Sequence, residues 1–166
     1  MAAGFHLAQV NVAYALGGPD DAVMAEFNAQ LDAINHLADV SPGFVWRYVT
    51  DSRDIAQREL QDPRVLFNMS VWESIEALHA FTYRTQHGKV FAARKKWFGE
   101  WKDNVRRVHE LGEGTPAVAL WWVPAGHLPT PGEGKQKLRT LGLKGPTPEA
   151  FTFKQMFTPA GEPVER

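Results

Sequence analysis

The run from Val65 to Phe81 changes its period in mid-course, and that change constrains the fold more than any other feature of the chain. Val65 to Trp72 is rich in β-favouring residues and reads as a strand. Ser74 then supplies a helix cap, and Ala77, Leu78 and Phe81 follow on one helical side. Side chains alternate along a strand, so Asn68, Ser70 and Trp72 share a face. An amide, a hydroxyl and an indole are unusual lining for a core and suit the wall of a pocket.

The neighbouring segments place this strand in a sheet. Phe5 to Tyr14 reads as a first strand, with Ala8, Val10 and Val12 on an apolar side and Leu7, Gln9, Asn11 and Ala13 on a mixed one. Pro19 stands near a helix start, and Met24, Phe27, Leu31, Ile34 and Leu37 recur at helical spacing until Ser41-Pro42-Gly43 stops them. Phe44 to Thr50 reads as a second strand and Asp51 to Asp62 as a loop. A longer helical stretch is expected from about Thr85 to Trp101, followed over Lys102 to Pro116 by a frayed helical extension and then a loop. Ala117 to Val123 is a fourth, apolar strand. Beyond it lie a proline-rich linker, a short helix near Lys135 to Leu143, and an extended segment from Ala150 to Phe157.

That order predicts an α+β protein with the ferredoxin-like βαββαβ arrangement, extended by a C-terminal helix and strand. One domain is expected over 1–158, with a flexible tail at 159–166. Helices cover one face of such a sheet. The apolar face carrying Val10 and Val12 also needs a cover, and a second copy of the sheet is the expected one, giving a homodimeric barrel.

Composition narrows the function classes. The chain has 166 residues, of which 44% are apolar and 22% charged, enough for one domain with a core. The formal net charge of −1 leaves no electrostatic footprint for nucleic acid. There is no cysteine, which excludes disulfides, thiolate nucleophiles and thiolate metal sites. No apolar run reaches the roughly 20 residues of a membrane span, and no leader is evident, so a cytoplasmic location is expected. Six tryptophans suit either a core or a site for a flat apolar ligand.

The segments His6-Leu-Ala-Gln-Val-Asn11, Ser41-Pro-Gly-Phe-Val-Trp-Arg47, Asn68-Met-Ser-Val-Trp-Glu-Ser74, Trp121-Trp-Val-Pro-Ala-Gly-His127 and Gly145-Pro-Thr-Pro-Glu-Ala-Phe-Thr-Phe153 touch nearly the whole chain. With them the chain resembles domain-of-unknown-function family 3291, placed among the dimeric α/β-barrel proteins. The resemblance implies a fold and no activity. A polar segment at about Glu100 to Thr115 departs from the family pattern. Asn11, Asn68 and Trp72 are also similar to three positions of the dimeric α/β-barrel monooxygenases of antibiotic biosynthesis. Those enzymes oxidise aromatic polyketides without metal or flavin.

This second resemblance implies an oxygenase site. Asn11 and Asn68 would stabilise an oxyanion on a flat phenol or enol, and Trp72 would stack on it or confine O₂ beside it. His87 is the expected proton acceptor, with His79 second. Tyr83 and Arg84 would anchor a carbonyl or carboxylate, and Trp46, Trp97 and Trp122 would wall the cavity. The expected ligand is a small hydrophobic metabolite, with no cofactor and no metal. Haem held by His87 or His109 is the alternative cofactor reading. Cyclisation or isomerisation in the same pocket, or a binding dimer without catalysis, are the alternative functions. Each residue also has a plainer reading: a strand asparagine often satisfies loop backbone, and a strand tryptophan is often core.

Overall fold

The computed structural model describes residues 4–17, 22–48, 65–86, 97–101, 111 and 114–164. Its elements are β1 (Phe5–Ala15), a 3₁₀ turn (Ala22–Met24), α1 (Ala25–Asp39), β2 (Phe44–Arg47), β3 (Val65–Trp72), α2 (Ile75–Gln86), β4 (Phe98–Gly99), β5 (Val118–Pro124) and α3 (Pro131–Lys144). All strand pairings among the described residues are antiparallel. β2 pairs with β3, β3 with β1, and the other edge of β1 is shared between β5 along its first half and β4 at its end. The order β2-β3-β1-β5 is the ferredoxin-like one, so the predicted α+β class holds.

Register sorts the side chains into two layers. Even-numbered residues of β1 face one way, so Ala8, Val10 and Val12 join Met69, Val71, Trp121 and Val123. Here the expected cover is corrected in part, because α3 of the same chain lies on this face. Gly134, Leu138 and Leu141 recur at helical spacing and are buried. Gly134 makes the close approach possible, since a Cβ there would stand 3.0 Å from Met69 Sδ and 3.2 Å from the Phe67 ring. Trp121 therefore packs under a helix of its own chain.

The N-terminus of α3 is tied to the sheet by one carboxylate. Thr130 caps the helix and accepts from Glu133 N. Glu133 then accepts from the buried Trp121 indole, Nε1 to Oε2 at 2.8 Å, and from His127 Nε2 at 2.7 Å. Removing that acceptor strands an indole N–H in the core. Glu133→Ala is expected to cost about 1–3 kcal/mol, and Glu133→Gln less because its amide oxygen still accepts. Urea unfolding of the two variants checks this order, and equal costs would contradict it.

Several segments depart from expectation. The helix forecast from Thr85 to Trp101 is not continuous, because Phe98–Gly99 form a two-residue strand paired with Tyr14 and Ala15, while Trp101 is helical and residues 87–96 lie outside the described ones. The helix forecast from Lys135 begins at Pro131, where a missing backbone N–H costs nothing. The extended C-terminal segment is reduced to single bridges, of which Leu120–Phe151 closes the edge of β5. Backbone hydrogen bonds reach as far as Val164. Thr158 N donates to Glu162 O at 2.7 Å and Val164 N to Met156 O at 2.8 Å. The forecast loop at Asp51 to Asp62 lies outside the described residues.

One surface ion pair carries a pH dependence. Arg47 Nε donates to Asp39 Oδ1 at 2.8 Å, joining β2 to the end of α1. That hydrogen bond, opposed by slight desolvation and helped by the charges of Arg47 and His36, holds the Asp39 carboxyl below its ordinary 3.8. A depressed acid contributes stability that is complete above the unfolded value and is lost as pH falls through the folded one. Because Asp39 is exposed, the effect is small. The melting difference between wild type and Asp39→Asn is expected to be constant near neutrality and to vanish below the ordinary carboxylate range.

Candidate functional site

The odd-numbered residues of β1 face α1 and α2, and their partners across β3 form four successive rungs: Leu7–Trp72, Gln9–Ser70, Asn11–Asn68 and Ala13–Leu66. The two ends of this row are apolar. At one end Leu7 and Trp72 pack with Leu78, Leu120 and Phe151. At the other, Ala15 and Leu66 pack with Met24, Phe27 and Trp97. Between them stand two consecutive polar rungs. Apolar packing on the helix-facing side of the sheet is thus interrupted by three carboxamides and a hydroxyl.

These groups are bonded to one another. Gln9 Nε2 donates to Asn68 Oδ1 at 2.9 Å and to Ser70 Oγ at 2.8 Å. Asn11 Nδ2 donates to Gln9 Oε1 at 2.9 Å and to Asn68 Oδ1 at 3.1 Å. Trp72 Nε1 donates to Ser70 Oγ at 2.8 Å. Burial is graded along the row: Gln9 and Ser70 are each 6% exposed, whereas Asn11 and Asn68 are half-buried. The network is closed at the tryptophan end and open at the asparagine end. The orphaned buried atom among the described residues, His6 Nδ1, belongs to the opposite face and is no part of it.

Trp72 is fully buried. Phe81 stacks on its ring with centroids 5.0 Å apart, and Phe44 meets it edge-on at 5.4 Å. The ring is occupied by its own core, so its contact with the row is the indole N–H on Ser70. Trp122 shares the helix-facing side through Leu7 and donates Nε1 to Phe157 O at 2.7 Å. Trp97 is buried at the far apolar end.

Trp46 lies on the opposite face. Simple alternation would put it beside Phe44, but a β-bulge between them pairs Phe44 with Trp72 and Trp46 with Val71. Tyr83 is 58% exposed. Arg84, also exposed, donates Nη2 to Ser41 Oγ at 3.1 Å, at the end of α1. His79 meets Phe153 edge-on at 5.7 Å. His87 and His109 lie outside the described residues.

The structure therefore joins Asn11, Asn68 and Trp72 in one network, the last through Ser70. It does not bring Trp46, Tyr83 or Arg84 into it. Gln9 is the member that sequence reasoning passed over. It sits two residues before Asn11 on the same face, and its place opposite Ser70 follows once the register is known. Among the described residues no three His, Asp or Glu side chains gather as a metal site, and no helix is long and apolar enough to cross a membrane.

Solved structures to which the chain is similar include SnoaB, a cofactor-independent oxygenase from Streptomyces nogalater. It is 15% identical over 74% of this chain and 95% of its own, with a TM-score of 0.44. A protein from Chloroflexus aurantiacus J-10-fl, described as an antibiotic biosynthesis monooxygenase, is 14% identical over 75% of this chain and 97% of its own, with a TM-score of 0.37. A protein of unknown function from Nitrosomonas europaea is 15% identical over 76% and 96%, with a TM-score of 0.35. No curated protein matches the chain. The model of the domain of unknown function DUF3291 matches residues 6–166, and the chain belongs to that family.

Proposed function

We propose that this protein is a small cofactor-independent enzyme that oxygenates a flat, hydrophobic, polyketide-like metabolite. The observation that carries the reading is the pair of polar rungs set between two apolar clusters, with amides at its open end. A flat ring is proposed to bind at the open end, with its oxygen on the amides. Donors fixed before the reaction stabilise developing negative charge without reorganising, which favours the phenolate or enolate over its neutral form. Such an anion is electron-rich enough to reduce O₂ directly.

The balance needs no external reductant. A ring CH₂ and O₂ give a ring C=O and water: two C–H bonds and the O–O bond break, one oxygen stays on carbon, and the other leaves as water. That one carbon supplies all the electrons. His87, the residue after the end of α2, is the proposed proton acceptor on the strength of its sequence position. Trp122 and Trp97 belong to the apolar ends, and Trp72 holds Ser70 in place.

The protein is further proposed to act as a homodimer in the cytoplasm. Trp46, Tyr48 and Phe67 form a half-buried aromatic strip beside α3, with ring centroids 6.5 and 6.2 Å apart. Light scattering at working concentration decides the oligomeric state. The activity is tested with an anthrone and a naphthol as probes. Oxygen uptake above the spontaneous rate, with one labelled oxygen retained in the product, is the expected result. Binding without uptake would leave a ligand-binding protein.

A further inference from the structure

Gln9 touches every polar member of the row, and the count of its hydrogens gives the row a direction. A carboxamide nitrogen carries two hydrogens and its oxygen two lone pairs. Gln9 Nε2 uses both hydrogens, on Asn68 Oδ1 and Ser70 Oγ. Asn68 Oδ1 accepts from Gln9 and from Asn11, so both of its lone pairs are taken. The Asn68 NH₂ lies on the other branch of its amide, and no described residue accepts from it. Asn11 uses both hydrogens, on Gln9 and Asn68, and no described residue donates to its Oδ1. The half-buried end of the row therefore presents a donor at Asn68 beside an acceptor at Asn11.

We propose that Gln9 is a positioning residue that fixes this sense, so that the site selects a flat ring bearing an acceptor oxygen for Asn68 and an adjacent hydroxyl for Asn11. The ligand class is a hydroxy-ketone or its enolate. This deepens the reading of the same site given above. Gln9 needs no contact with the ligand. It acts by occupying the Asn68 oxygen and so turning the NH₂ toward the open end. A glutamate of the same shape has no hydrogens to give when ionised. In Gln9→Glu, Asn68 and Ser70 must donate inward, and the outward group at Asn68 becomes an oxygen that repels the ketone.

Two measurements test this, and the first needs no variant and no activity. Side-chain amide hydrogen exchange by NMR on the wild-type protein should show the Gln9 NH₂ protected by about tenfold or more relative to the Asn68 NH₂. Protection of Asn68 with rapid exchange at Gln9 means that the row runs the other way, and overturns the proposal. The second is binding of a hydroxynaphthoquinone, the naphthoquinone lacking the hydroxyl, and naphthalene. The chain has no cysteine for the quinones to alkylate, so binding reads cleanly.

Affinity should fall by about tenfold at each loss of a polar group in the wild type. Gln9→Glu should erase that order at near-neutral pH, and Gln9→Met should weaken it. An intact order in both variants overturns the proposal. Selective binding without oxygen uptake sinks the oxygenase reading and leaves this one standing; uptake with reversed amide protection does the opposite.

Discussion

Asn68→Ala is expected to lower turnover of an oxidisable phenol or enol by about a hundred- to a thousandfold, the usual effect of removing one donor to a developing oxyanion. Its effect on stability should be modest. Asn68 is half-buried, and when Asn68 Oδ1 is gone Gln9 still donates to Ser70 and Asn11 still donates to Gln9. Water can serve the remaining hydrogens, so the loss is about 1 kcal/mol.

Asn68→Asp sharpens the test. Its carboxylate still accepts from Gln9 and Asn11, which preserves the network, but it has nothing to donate outward. The expected result is a protein more stable than Asn68→Ala and at least as inactive. Steady-state oxygen uptake and thermal melting, measured on both variants, decide it. An active Asn68→Asp would remove Asn68 as the donor.

Much of the fold was legible because its signals are local. The alternation in β3 and its break at Ser74 predict the bounds Val65 to Trp72 as they stand. Alternation in β1 likewise separates Val10 and Val12 from Gln9 and Asn11. The errors come where a long-range partner decides. Phe98 and Gly99 look like the end of an aromatic helix, and only pairing with Tyr14 and Ala15 makes them a strand. Trp46 changes faces through one bulge, which no periodicity reveals.

The cover over Val10 is a matter of topology. A glycine at 134 lets the chain's own helix reach the sheet, and in a list of residues that glycine reads only as a weak helix former. Asn11, Asn68 and Trp72 were visible as polar or aromatic anomalies. What joins them, Gln9 and Ser70, depends on the cross-strand register.

Gly43→Ala is the substitution expected to damage the fold most for a single methyl group. Gly43 follows α1 with φ of 81°, in the left-handed region. A side chain there costs about 1–2 kcal/mol in backbone strain. Its Cβ would also lie 2.5 Å from Ala77 Cβ on α2, a separation that requires one element to move. The Gly43 carbonyl accepts from Glu73 N at 2.8 Å, so the turn is held to the end of β3 and cannot retreat freely. Overlap of this kind costs about 1–3 kcal/mol more.

The two contributions separate in a double-mutant cycle. In an Ala77→Gly background the overlap disappears and only the backbone strain remains, so Gly43→Ala should cost visibly less there by urea unfolding. An equal cost in both backgrounds would mean that α2 does not constrain the turn. Displacing α2 also loosens Phe81 from Trp72, and with it the indole that holds Ser70. Activity in Gly43→Ala should therefore fall in step with stability and recover with it when Ala77 is removed. The Asn68 variants should uncouple the two, because their loss lies in the donor and not in the packing above it.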